Sequence, residues 1–107
     1  MDLPKVIADL TTAQNNFDSV AYAKCFSEEA LVFDEGRTHS GRKEIEQWIG
    51  DANKRYEATM KPLSFEENET ESILKAEVSG NFPGSPILMS YHLKISHQLI
   101  QLLKITG

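Results

Sequence analysis

The hydrophobic pattern of this chain changes period once, near residue 59, and that change limits the possible folds more than any motif does. Before it, apolar residues recur at helical spacing. Leu3, Val6, Ile7 and Leu10 share one helix face. Asp2 stands where it can cap that helix, and Pro4 sits in its first turn, where a missing N–H costs nothing. Asn15-Asn16 ends it, and Asp18 is placed to cap a second, short helix reaching about Phe26. Ser27-Glu28-Glu29 reads as a turn, and residues 30–33 as a short apolar strand. Ile45, Trp48, Ile49, Ala52 and Tyr56 then form one stripe, which predicts a helix over about 42–56. Beyond residue 59 the chain alternates or runs in β-rich segments bounded by turn residues. Residues 60–67, 72–81, 87–96 and 99–105 are the expected strands, and their short connections make them antiparallel neighbours. Helices first and a meander after predicts one α+β domain over residues 1–107, with helices packed on one face of a curved, mainly antiparallel sheet.

A chain of 107 residues with 40% apolar content builds one modest core, small enough to gain from a partner subunit. Ile87, Met89, Leu93, Ile95 and Leu103 are candidates for an apolar outer sheet face, so a homodimer is expected. The net charge is −5 and the charges are interspersed, so there is no basic stripe to meet nucleic acid or an anionic membrane. No apolar run is long enough to span a bilayer. The N-terminal MDLPKVIADL carries an acid and reads as an amphipathic helix, not a signal peptide. A single cysteine, Cys25, cannot form an internal disulfide, which suits a reducing cytoplasm.

The residues that could carry chemistry gather in one stretch, FDEGRTHSG, residues 33–41. Asp34 ends the apolar strand. It either starts a polar turn or stands at a pocket rim as an acid or base. His39 is either a solvated turn histidine or a proton donor or ligand contact. Arg37 could meet a ligand carboxylate or pair with Glu35, and Gly36 is expected to take a positive φ. Tyr22, Trp48 and Tyr91 offer apolar walls with a polar tip, core packing being the simpler reading for Trp48. His92 and His97 have the wrong spacing for a zinc pair, and no phosphate loop or nucleophile elbow is present, so no metal or cofactor is expected. Asn81 to Pro86 holds two prolines and a glycine, a stiff turn able to shape a pocket rim.

The stretch FSEEALVFDEGRTHSGRKEIEQWI resembles the signature of the SnoaL-like group of the nuclear transport factor 2-like (NTF2-like) superfamily. The matching residues are Glu28-Glu29-Ala30, Asp34, Gly41-Arg42, Ile45 and Trp48, and the tail from Val78 resembles that group's last strands. The resemblance implies a cone-shaped half-barrel whose sheet wraps a long helix and leaves a pocket at its open end. It also implies a small-molecule pocket protein, commonly dimeric, for an apolar or polycyclic compound. Such a protein is either an enzyme of the cyclase, isomerase or dehydratase kind or a non-catalytic dimeric domain that binds a ligand or partner. Asp34 matches the general base of the ketosteroid isomerases in that superfamily. Those enzymes add two oxyanion donors, a tyrosine on the first helix and a protonated acid on a later strand. Aligned through Asp18 and Asp34, the tyrosine position falls on Leu10 and the second donor has no counterpart, which argues against steroid isomerisation.

Overall fold

The computed structural model describes residues 1–107. Three helices, α1 (Lys5–Asn15), α2 (Ser19–Lys24) and α3 (Arg42–Tyr56), pack with six strands: β1 (Phe26–Asp34), β2 (Arg37–Ser40), β3 (Thr59–Glu67), β4 (Ser72–Ser79), β5 (Ile87–Ser96) and β6 (Leu99–Thr106). The sheet order is β2-β1-β6-β5-β4-β3. Every neighbouring pair is antiparallel except β1 with β6, which is parallel. The β3 to β6 meander comes from short connections; α3 carries the chain from β2 to the far edge strand β3, and the meander walks back until β6 lies parallel beside β1. No helix is long and apolar enough to cross a membrane.

The helix starts differ in one respect from the sequence reading. Pro4, not Asp2, occupies the N-cap of α1 and makes no side-chain cap bond. With the helix starting at Lys5, Asp2 lies too far out to reach the free N–H groups. Asp18 caps α2 as expected, accepting from the Ala21 N–H at 3.0 Å. That helix stops at Lys24, so Phe26 belongs to β1, where it faces Ile100.

Residues 27–29 lie within β1, not in a turn. Phe26 faces Ile100 and Leu31 faces Leu102, so β1 spends five residues where β6 spends two. This bulge pushes Glu28 and Glu29 out to solvent. It also leaves the Phe26 carbonyl to a side chain: Arg42 donates to it through Nε (3.1 Å) and Nη2 (2.6 Å). Arg42 therefore ties the start of α3 to the irregular start of β1.

The quoted stretch folds as a tight hairpin. Asp34 faces Arg37 across a two-residue turn, with Glu35 at φ +51° and Gly36 at φ +74°. Positive φ at both central residues gives the strands the twist they need, and Gly36 adopts it freely. Residues 37–40 are thus an edge strand and not a loop.

The core lies between the helices and one sheet face. Ile7, Leu10, Phe26, Val32, Ile45 and Leu103 are among its fully enclosed side chains. Alternation in β5 puts Ile87, Met89, Tyr91, Leu93 and Ile95 on this inner side, where they reach the core or the cavity described below. Leu103 is also fully buried. The five residues expected on an apolar outer face therefore face inward, because the helices cover that side and their register matches that of Leu74 and Ala76 on β4.

Candidate functional site

A cavity of about 420 Å³ opens between α3 and the inner face of the meander. Its walls are mostly apolar, contributed by Ile49, Ala52, Met60, Val78, Ile87 and Met89. Two aromatic pairs frame it. Tyr22 meets Trp48 edge-on at 6.1 Å between centroids, and Tyr56 meets Phe82 edge-on at 6.2 Å. Phe82 comes from the stiff β4–β5 connection, which is anchored by the Asn81 N–H donating to the Tyr56 carbonyl at 2.7 Å. The Pro-Gly turn therefore does shape the cavity wall.

Polar groups converge on this apolar space. Asp34 reaches the cavity from the end of β1, Tyr22 from α2 and Tyr91 from β5. Burial raises the Asp34 pKa above the ordinary aspartate value, and the neighbouring Glu35 charge adds to the effect. The His39 charge, the Trp48 indole N–H and the Glu35 backbone N–H oppose it. Both phenols are pushed well above the ordinary tyrosine range, chiefly by burial, with the Asp34 charge contributing to each. They stay protonated at neutral pH and can only donate to, or accept within, a hydrogen bond. The site thus pairs one carboxyl that gains basicity with two phenols that keep their protons.

Of the other sequence-nominated residues, Trp48 lines the cavity, whereas Arg37 and His39 do not. Trp48 is only half-buried and stands between two neighbours, with Tyr22 on one side and the near-parallel His39 ring at 5.3 Å on the other. His39 and Arg37 line a second cleft outside Trp48, which shares Asp34, Glu35, Trp48, Ala52 and Tyr56 with the main cavity. His39 pairs with Val32 in the β1–β2 ladder, so the hairpin holds it on the far side of the indole. No ion pair joins Arg37 to Glu35, because Glu35 is at the turn apex and Arg37 is in the ladder opposite Asp34. Leu10, the position aligned with the isomerase tyrosine, is fully buried in the core and offers no donor.

Two lining residues went unread in the sequence, Gln14 and Asn53. Both are buried polar side chains, at 8% and 7% exposure. The signal was available. Gln14 lies four residues after Leu10, and Asn53 four after Ile49, each on the apolar stripe of its helix. A polar residue on a buried stripe is the informative exception.

No protein-family model matches the sequence, and no curated protein does. Solved structures do match. A polyketide cyclase-like protein from Sinorhizobium meliloti is 33% identical, with a TM-score of 0.92 over 99% of this chain and 97% of that one. A hypothetical protein with a ketosteroid isomerase-like fold from Catenulispora acidiphila, solved in complex with trimethylamine, is 16% identical. Its TM-score is 0.88 over 99% of this chain and 87% of that one. An NTF2-like protein of unknown function from Cytophaga hutchinsonii is 13% identical, with a TM-score of 0.78 over 99% of this chain and 90% of that one.

Proposed function

Because the chain belongs to the NTF2-like superfamily, in the SnoaL-like branch of its polyketide cyclase-like relative, we propose that its cavity is the site of an acid–base enzyme of the cyclase, isomerase or dehydratase kind. Asp34 takes a proton from the carbon next to a carbonyl of an apolar substrate. The released electron pair moves onto the carbonyl oxygen, and Tyr22 and Tyr91 donate hydrogen bonds to that oxygen. The proton on Asp34 is then returned to another carbon; or the enolate carbon attacks a second carbonyl carbon and closes a ring, the C=O π pair moving onto that oxygen, which takes the Asp34 proton and becomes a hydroxyl. One observation carries the reading. A carboxyl with a raised pKa and two protonated phenols line the same largely apolar cavity. Basicity rises with the carboxyl pKa, and fixed donors at a developing oxyanion are usually the larger contribution. The phenols supply from α2 and β5 the donors that alignment to the isomerases did not find.

Exchange of the protons next to the carbonyl tests this. Ring ketones incubated with the protein in deuterium oxide should take up deuterium at that carbon. Asp34→Asn should slow uptake by about a hundredfold or more. Tyr91→Phe should slow it by roughly ten- to a hundredfold if that donor meets the oxyanion. Equal uptake in wild type and Asp34→Asn would remove the acid–base reading.

The second reading is a non-catalytic ligand-binding module. It has a specific observation behind it. The cavity offers aromatic walls and the carboxyls of Asp34 and Glu35, with no lysine or arginine among its lining residues, a setting that suits a small alkylammonium ion. The Catenulispora acidiphila neighbour was solved with trimethylamine. Trimethylammonium titrated against Trp48 fluorescence distinguishes this from the first reading when no deuterium uptake is seen. In either case we take the chain to work as a homodimer in a reducing compartment such as the cytoplasm, where its one buried thiol, Cys25, stays free.

A further inference from the structure

We propose that the Asn53 amide is a second polar anchor in the cavity and takes a neutral acceptor oxygen of the substrate, a carbonyl or a hydroxyl. The proposal rests on the cavity being the substrate site. It adds that the substrate carries two oxygen functions on one apolar frame.

Ala58 O can only accept, and it accepts from Gln14 Nε2 at 2.7 Å. That bond fixes which end of the Gln14 amide is the amino group. The same Nε2 donates to Asn53 Oδ1 at 3.1 Å. Asn53 must therefore present its oxygen to Gln14 and its amino group elsewhere. Turning either amide over would set two donors or two acceptors against each other. Asn53 Nδ2 is left buried with no hydrogen-bond partner, the one such side-chain atom in the chain. A buried amide donor without an acceptor is costly, and native chains keep few.

Asn53 lines the cavity with Ala52, Tyr56 and Met60, and no group of the chain accepts from its amide nitrogen. An oxygen of a bound molecule would satisfy it. That oxygen is better neutral than charged. The lining has no lysine, arginine or histidine, while Asp34 and Glu35 bring two carboxyls, so an anionic group would meet like charge with no cation in the wall. The implied substrate class is an apolar ring compound with an enolisable carbonyl toward Asp34 and a second neutral oxygen toward Asn53.

The test compares two probes, a methyl-decalin enedione and the corresponding enone without the second ketone. Fluorescence of Trp48, the only tryptophan and a cavity-wall residue, reads binding. Wild type should hold the enedione about 3- to 10-fold more tightly, the worth of one net hydrogen bond. Asn53→Leu should bring the ratio to about one, as no acceptor-specific contact remains. In the wild-type chain, the enedione should also shift the side-chain amide resonances of Asn53 and the enone should not, which decides the matter if Asn53→Leu does not fold. Equal affinities in wild type, a ratio that survives in Asn53→Leu, or Asn53 resonances unmoved by bound enedione would each overturn the proposal. So would failure of both probes to bind at millimolar concentration. These measurements read binding alone. Loss of deuterium exchange with the probe ratio intact removes the acid–base reading and leaves this one, and the converse result does the reverse.

Discussion

The carboxyl of Asp34 ionises less readily in the folded chain than in the unfolded one, because burial removes water that would solvate the charge and Glu35 adds a like charge nearby. The sign for stability follows. Below the ordinary aspartate value of 3.8 both states are protonated and Asp34 costs nothing. As pH rises through the higher folded pKa, the unfolded state is already ionised and the folded state resists, so stability falls. Asp34→Asn cannot ionise. Its melting temperature should exceed that of wild type at neutral pH, and the gap should close at about pH 3. Thermal melts of both proteins across that range check this, and a constant gap would mean that Asp34 is solvated. Cys25 obeys the same physics. Burial pushes its thiol up to about 11, so at pH 8 the folded protein should react with a thiol reagent far more slowly than the same chain in denaturant. At this scale the sequence was partly legible. Asp34 announced itself as a charge ending an apolar run. Tyr22 and Tyr91 could not be resolved between core and site, because a tyrosine at the edge of a cavity belongs to both. His39 could not be placed, since only the hairpin ladder shows which side of Trp48 it takes.

Among the elements, α3 was read to its observed bounds because a long apolar stripe is a strong periodic signal. The strand β2 was missed because three of its four residues, Arg37, Thr38 and Ser40, are exposed, so no apolar alternation marks it. Its turn is Glu35-Gly36, outside the familiar Asn-Gly and Asp-Gly pairs. Two glycines in this half of the molecule should respond oppositely to a methyl group. Gly50 lies inside α3, and an added Cβ would meet only Ser19 atoms at 3.6 Å, an ordinary contact. Gly50→Ala should therefore stabilise the chain by about 0.5–1 kcal/mol, the helix-propensity difference. Gly80 lies where β4 turns back toward the end of α3. There a Cβ would come within 2.7 Å of the Tyr56 carbonyl oxygen and 3.0 Å of the Phe82 ring. The carbonyl is backbone and cannot swing aside, so Gly80→Ala should destabilise by about 1–3 kcal/mol. It should also weaken ligand binding, because Tyr56 and Phe82 form one wall of the cavity. Urea titrations of the two variants decide both expectations, and a stable Gly80→Ala would mean that the connection is loose.

For the whole molecule, the outer sheet face is the surface on which the proposed homodimer is expected to form. The inner face is spent on core and cavity, so a partner has only the outer residues to meet. Alternation sets them out. With Ala30 and Val32 inward on β1, Leu31 and Phe33 point outward; with Leu103 inward on β6, Leu102 points outward, and it pairs directly with Leu31. Phe33 and Lys104 pair in the same ladder, and Leu102 faces Lys94 on β5. Beyond them Leu88 on β5 is 65% exposed, the most open large apolar side chain within any helix or strand. This makes a short apolar centre, Leu31, Phe33 and Leu102, bordered by lysines, instead of the broad apolar face that the sequence suggested. An apolar centre with a polar rim is the usual anatomy of a protein interface. A second copy can lay its own centre against this one about a two-fold axis and repeat each contact. Each lysine then meets the partner at the rim, where screening keeps like charges tolerable. Sedimentation at micromolar concentration should give twice the 12.0 kDa chain mass. Leu102→Glu, placing a charge at the centre of both copies at once, should give the single-chain mass while leaving the fold and the cavity on the opposite face intact. Trp48 fluorescence and far-ultraviolet circular dichroism would report that the variant is folded. A monomeric wild type would show that the outer face stands alone in water, and a dimeric Leu102→Glu would place the contact elsewhere on the surface.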